Sequence, residues 1–528
     1  MRNLLFVAFF CLTQMVFAQQ NQAIIPMPQS FVKANGMFKI DNHTTISINN
    51  AKLKQLAQYL KNELSVQKNV DIAINSKSNK PTIVLELVKD SKNTNQEAYR
   101  LVVSSKKITL TAASDKGIFY GIISLLQLAS NNNEIQNCSI KDAPIYSWRG
   151  FMLDESRHFF GRDKVKSILN WMAFYKLNTF HWHLTDEPAW RIDILKYPNL
   201  ALIGGKGDYL NPNLPAQYYS RADIKEIVAY AAERFIQVIP EIDMPGHATA
   251  ANKAYPEFSG GGSAAHPDFT FNPGYEKTYG FLSDILKETH SLFPSDKIHL
   301  GGDEVSFGNE KWKVNPEIQT LKAKHALKDE KEVEKYFMKR MADSVYKLKS
   351  QVLVWDEMVD AGLPVDKTIM FWWRHDRPEV LKASLAKGYQ TIICPRLPFY
   401  FDFVQDSTHK FGRKWDKKFN PVQSVYQFNP SQLVTENQSN ILGIQANLWT
   451  ETVADNKRLD YLLFPRLAAL AETAWTCNEN KNLEDFMDRL KSHLLLYKAA
   501  GLYYYNPFNP IENPEPAGGK KLPLNYKD

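Results

Sequence analysis

The sequence predicts a (β/α)₈ TIM barrel preceded by a small α/β sandwich domain. Three observations carry that prediction. After Pro144, short apolar runs alternate with amphipathic helices, and the unit repeats over about 330 residues. Between Ala23 and Asp142, strand-like runs surround two helical ones. The first strand of the larger block is followed by Asp154-Glu155-Ser156-Arg157, not by the glycine-rich phosphate turn of an open doubly wound sheet.

The chain has 528 residues, 44% of them hydrophobic and 23% charged, enough to bury a large core. That composition excludes a disordered, collagenous or disulfide-stapled protein. Its net charge of +7 is spread without a basic run, so nothing points to nucleic acid. A 12% aromatic content suits the flat faces of sugar rings.

The elements follow in chain order. Residues 1–18 join one arginine, an apolar run and Val16-Phe17-Ala18, the pattern of a cleaved signal peptide. A membrane anchor is the alternative, but the run is short and polar Gln19-Gln20-Asn21-Gln22 follow it. Cleavage leaves a charge of +6 and three cysteines, an odd number far too small for a disulfide framework. Together these predict an exported, periplasmic or extracellular protein, of bacterial type, with no membrane contact in its mature form.

Residues 19–143 form the small domain, with strands at Thr45–Ile48, Thr82–Leu87, Tyr99–Ser104 and Lys107–Ala112. Its helices fall at Lys52–Val66 and Lys116–Ala129, and Ser130–Asn137 reads as a turn. Residues 144–501 form the barrel, with strands at Gly150–Leu153, Thr179–His183, Gln237–Ile242, Ile298–Leu300, Val352–Trp355, Thr368–Phe371, Thr391–Cys394 and Ile444–Ala446. Ser220-Arg221-Ala222-Asp223 has the form of a capping box. Residues 502–528 are a C-terminal tail.

In such a barrel, reactive groups collect at the C-terminal ends of the strands. Asp154 and Arg157 follow the first strand, and His181, His183 and Asp186 end the second. The third runs into Glu241, Asp243 and His247, and the fourth into Asp303 and Glu304. Trp355, the Trp372-Trp373 pair, Tyr400 with Asp402, and Trp449 with Glu451 complete the ring.

Two chemistries compete for that mouth. His181 and His183 alternate on one strand face, as metal ligands would, but the later strand ends offer tryptophans where further ligands are needed. Glycoside hydrolysis fits better, because carboxylates supply a general acid and aromatic rings supply apolar walls for a sugar. Neighbours in sequence lie about 3.8 Å apart at Cα, so Asp303 and Glu304 enter from the same side. Asp303 is therefore a poor nucleophile, but it can position a substrate group that attacks while Glu304 protonates the leaving oxygen. That work needs a raised Glu304 pKa, which a dry aromatic mouth beside Asp303 favours.

The motifs RGFMLDESRHF (149–159), HWHLTDEPAWR (181–191), PEIDMPGH (240–247) and HLGGDE (299–304), followed by VWDE, YFD and LWTE, resemble glycoside hydrolase family 20 β-N-acetylhexosaminidases. The likeness runs from Arg149 to Glu451. It implies an exo-acting enzyme that removes terminal non-reducing GlcNAc or GalNAc from a glycan or chitooligosaccharide. Retention would be substrate-assisted and pass through an oxazolinium, with no metal and no cofactor. By this resemblance, Glu304 is the general acid and then the base, Asp303 orients the acetamido nitrogen, and Tyr400 hydrogen-bonds the acetamido oxygen. Trp355, Trp372 and Trp449 enclose the sugar, with Trp372 preferred over Trp373. Arg157, Asp402 and Glu451 bind hydroxyls, and Asp186 with His247 tunes Glu304. Two rival readings are a disaccharide-releasing relative and a non-catalytic glycan-binding barrel.

Overall fold

The structure, a computed structural model, describes residues 23–74, 82–89, 95–130, 134–414 and 417–518. Residues 1–18, expected from sequence to be a signal peptide, lie outside these, as do Asn131–Asn133 and the tail after residue 518.

The N-terminal block is a seven-stranded mixed sheet: β1 (Ser30–Lys39), β2 (Thr45–Ile48), β3 (Ala73–Ile74), β4 (Ile83–Leu87), β5 (Tyr99–Ser104), β6 (Lys107–Ala112) and β7 (Glu134–Asp142). They lie in the order β1-β7-β5-β6-β4-β2-β3. The β-branched alternation of Lys107–Ala112 buries Ile108, Leu110 and Ala112 and leaves Lys107 in solvent. Helices α1 (Lys54–Lys68) and α2 (Asp115–Ala129) accompany the sheet. Ser114 caps α2 by accepting from the Gly117 amide. This helix is apolar on nearly every side because the sheet packs on one face and the barrel on the other.

Glu134–Asp142 is a strand between β1 and β5, not the continuation of a turn. Its buried Ile135, Cys138 and Ile140 are preceded by a polar Ser-Asn-Asn-Asn run that masks where the strand begins. The edge strand β1 is mostly exposed and bulged around Gly36, whose φ is +101°, so it lacks the alternation that marks a half-buried strand.

The barrel is closed and parallel: β8 (Trp148–Asp154), β9 (Thr179–His183), β10 (Gln237–Glu241), β13 (Lys297–His299), β14 (Gln351–Trp355), β15 (Thr368–Trp372), β16 (Gln390–Ile393) and β17 (Ile441–Leu448). A short hairpin, β11 (Ser259–Gly261) with β12 (Thr270–Phe271), interrupts the third βα unit. Closure is made by β17 on β8, from Gly443 opposite Trp148 to Leu448 opposite Leu153. Each predicted strand is present, and Ser220 and Asp223 form the expected capping box of helix Arg221–Ala232.

The blocks are joined by buried polar contacts. Asp142 accepts from Tyr99 (2.6 Å), Trp475 Nε1 (2.9 Å), Lys176 Nζ (3.1 Å) and the Gln29 amide (3.1 Å). Arg149 donates to Glu97 (2.7 Å), the Lys176 carbonyl (2.9 Å) and the Tyr120 hydroxyl (3.0 Å). The described part of the tail packs on the barrel, with Tyr504 and Tyr505 buried. Among the described residues, no helix is long and apolar enough to cross a membrane.

Candidate active site

At the floor of the barrel mouth lies Glu241, the last residue of β10 and fully buried. Its Oε2 is 2.6 Å from His183 Nδ1 and 3.1 Å from His181 Nε2. Its Oε1 is 2.9 Å from His299 Nδ1 and accepts from Trp355 Nε1 at 2.9 Å. Burial would push this carboxyl up, but the three imidazoles hold it well below the usual range. The two histidines weighed as metal ligands are thus engaged by a carboxylate, and burial lowers His181 to about 4.

From this floor the network climbs to the reacting groups. His183 Nε2 lies 2.8 Å from Asp186 Oδ2, which also receives Arg157 Nη1 at 2.7 Å. Asp186 Oδ1 lies 2.9 Å from His247 Nδ1. Against burial, Arg157 and His247 hold Asp186 well below the carboxylate range. Burial pulls His247 down, but Asp186 and Asp303 outweigh it and raise the imidazole to about 10. The other nitrogen, Nε2, is 3.6 Å from both Asp303 Oδ2 and Glu304 Oε2. The expected Asp186–His247 pair therefore delivers a positive charge to the adjacent acids.

The Gly301-Gly302 pair has a steric cause. Both hold positive φ, +68° and +90°, and a Cβ at Gly301 would fall 1.7 Å from Asp243 Oδ1. The chain can turn sharply there, and the Gly301 carbonyl accepts the Trp355 amide at 3.0 Å. Asp303 is buried, whereas the Glu304 side chain keeps 24% exposure. Burial and the nearby Asp243 push Asp303 well above the usual carboxyl range. Glu304 and His247 themselves hold φ of +51° and +54°, sparsely populated for residues with a side chain.

A cavity of about 790 Å³ opens above these groups. Arg157, Asp186, His247, Asp303, Glu304, Trp355, Tyr400, Trp449 and Glu451 line it, all of them named from sequence. Trp355 and Trp449 have ring centroids 6.0 Å apart, and Tyr400 lies 6.1 Å from Trp449. Asp402 is buried behind the lining, its Oδ2 3.3 Å from Arg413 Nε. Burial raises its carboxyl against the pull of Arg413, to about 7.

Trp372, expected to enclose the sugar, does not line the cavity. Its indole turns away from the mouth, packs with Leu381, Leu385 and Ile393, and donates to the Arg377 carbonyl at 3.2 Å. Trp373 lines the cavity instead and stacks on Tyr400, with centroids 6.2 Å apart and planes 9° from parallel. Phe371 faces inward among His181, His299 and Trp355, so the period of two sends residue 372 out and residue 373 back in.

Sequence reasoning also missed Arg413, which lines the cavity and reaches Glu451 Oε1 at 2.5 Å. It sits in irregular chain where no spacing marks it. Glu241 was visible within PEIDMPGH, but nothing local told that its neighbours would converge on it. At the rim, Glu187 lies 3.0 Å from His266 Nδ1.

Conserved domain models and relatives match this architecture. The description "Glycosyl hydrolase family 20, catalytic domain" matches residues 146–478, and "Glycosyl hydrolase family 20, domain 2" matches residues 21–143. A beta-hexosaminidase of Porphyromonas gingivalis is 32% identical over 96% of this chain, which spans 66% of that protein's length. One from Vibrio furnissii is 34% identical, over 85% of this chain and 76% of that protein. The crystal structure of an exo β-N-acetylglucosaminidase from Vibrio harveyi, in complex with N-acetylglucosamine, superposes with a TM-score of 0.85. It is 30% identical, and the match covers 92% of this chain and 79% of that one. A parallel barrel with an acidic, aromatic mouth suits a glycoside hydrolase, and the matched family is one. The chain belongs to glycosyl hydrolase family 20, the beta-hexosaminidase family.

Proposed function

We propose that the protein is an exo-acting β-N-acetylhexosaminidase that removes terminal non-reducing GlcNAc or GalNAc by substrate-assisted retention. One observation carries this reading. Asp303 and Glu304 leave one strand end together and share His247, while Trp355, Trp373, Tyr400 and Trp449 form aromatic walls of the same cavity. Two acids so placed cannot flank a glycosidic bond from opposite faces, as ordinary retaining and inverting pairs do.

In the proposed reaction the acetamido oxygen attacks the anomeric carbon as the bond to the leaving oxygen breaks. Glu304 gives that oxygen a proton, and an oxazolinium forms. Glu304 then takes a proton from water, which attacks the same carbon and reopens the ring. Asp303 accepts from the acetamido N–H. Its burial beside Asp243 disfavours charge in the free enzyme, so positive charge developing at the acetamido group favours the carboxylate most in the transition state. Tyr400 donates to the acetamido oxygen, and the tryptophans exclude water and enclose the methyl group. Arg157, Glu451 and Asp402 supply the hydroxyl-binding wall, supporting a terminal residue on a glycan or chitooligosaccharide. The pattern of residues 1–18 supports export to the periplasm or outside the cell, which N-terminal sequencing of the mature protein tests.

The main experiment is release of a chromogenic leaving group from a β-GlcNAc glycoside. Glu304→Gln should lose about 10²–10⁴-fold with a poor leaving group and much less with a good one. No release by the wild type would sink the enzyme reading in favour of a glycan-binding barrel. Equal cleavage of the N-acetyl-free glucoside would overturn substrate assistance.

A further inference from the structure

Residues 502–518 lie beyond both stretches matched by the family's domains, yet they pack against the loop that leads to Arg413 of the sugar cavity. Glu515 Oε2 accepts the Lys410 amide at 2.6 Å, and its Oε1 accepts the Phe411 amide at 3.0 Å. Beside it Arg458, fully buried, donates Nη1 to the Pro516 carbonyl at 2.9 Å, with Glu515 Oε1 3.4 Å away. The same guanidinium donates Nη2 to the Phe411 carbonyl and Nε to the Thr452 carbonyl, the latter at 2.6 Å.

These contacts tie together two loops that are distant in sequence. One carries Arg413, two residues beyond Phe411; the other carries Glu451, next to Thr452. Arg413 then spans the gap, 2.5 Å from Glu451 Oε1 and 3.3 Å from Asp402 Oδ2. Two buried carboxylates repel one another, and a cation between them pulls both toward the ionised form and fixes their aim. The loop bearing that cation has no regular structure around Lys410–Phe411, whose amides are satisfied by Glu515.

We propose that residues 502–518 are a strap that positions the hydroxyl-binding wall of the sugar site, with Glu515 as a positioning residue acting through Phe411 and Arg413 on Asp402 and Glu451. The identity of the ligand rests on the function proposed above. The strap contributes no group to the reacting atoms, so its effect falls on binding of the far edge of the sugar and not on proton transfer.

The test compares wild type, Glu515→Ala and Glu515→Gln in the full chain. Glu515→Ala should raise KM for the chromogenic β-GlcNAc glycoside roughly tenfold and change kcat by less than about twofold. Glu515→Gln keeps an oxygen that accepts an amide and should recover much of the loss. With 4-deoxy and 6-deoxy analogues, the penalty of Glu515→Ala should shrink on at least one. An equal penalty on every analogue, or kcat falling together with kcat/KM, would mean a general structural defect and overturn the proposal. Amide exchange over residues 408–414 gives a readout without substrate: it should quicken in Glu515→Ala, and unchanged exchange would also overturn the strap. If the wild type cleaves nothing while that exchange quickens, the strap stands and the proposed function fails.

Discussion

Asp402 and His247 should set opposite ends of the pH response, each through named neighbours. Asp402 ionises near 7 because burial outweighs the pull of Arg413. Below that pH the carboxyl gains a proton and loses its ion pair with Arg413 and, in the proposed reaction, its strength as an acceptor for a sugar hydroxyl. KM should therefore rise as the pH falls from about 8 to 6, and Asp402→Asn should flatten that limb. A wild-type KM constant across this window would count against an ionised Asp402 in binding. His247 is raised from 6.5 to about 10 in the folded state. The stability it gains from Asp186 is thus complete below 6.5 and lost as the pH climbs through 10. Acid loss of affinity and alkaline loss of stability can be separated by measuring KM and thermal midpoint on the same buffers.

The turn between β13 and the acids is held open by the absence of side chains. Gly301→Ala would drive a methyl against Asp243 at a φ that disfavours any Cβ, so it should cost at least about 2 kcal/mol and most of the activity. Gly280, inside helix Glu276–Leu292, would place a methyl group in open space, with nothing within 4 Å of it. Its change to alanine should instead stabilise by about 0.5–1 kcal/mol with kcat/KM unchanged. Denaturant midpoints of the two variants check both signs. At this scale the sequence was most legible where period and burial agree. All eight barrel strands announce themselves as short apolar runs, and the acids at their ends follow from the fold. Applying the same period one residue further would have chosen Trp373 over Trp372. Exposed β1 carries no alternation at all, which is why it was missed.

Between the two blocks, Asp142 gathers an amide, a phenol, an indole and an ammonium from four separate segments. Removing this buried acceptor takes a partner from the Trp475 indole and the Gln29 amide, and leaves the buried Lys176 charge with the Tyr99 hydroxyl in place of a carboxylate. Asp142→Ala should lower stability by about 3–5 kcal/mol, read as the unfolding midpoint, with little change in kcat for the folded enzyme. A shift below about 1 kcal/mol would show that the Asp142 contacts add little to the junction beyond its apolar packing and the Arg149 contacts. Such a junction is invisible in sequence, because Gln29, Asp142, Lys176 and Trp475 share no spacing. Arg413 and Glu515 were hidden for the same reason: their partners are set by the closed shape, not by any local pattern.

His247 and Glu304 turn the backbone left-handed at the two positions where side-chain chemistry is most needed. At such a position a glycine is more comfortable than an alanine, the reverse of its ranking almost everywhere else. Glu304→Gly should therefore melt above Glu304→Ala, though neither keeps a proton to donate. A lineage released from the need to cut its substrate would find relief by drifting toward glycine at these sites. A glycine codon at either site would then mark a barrel that has given up this chemistry before any assay is run.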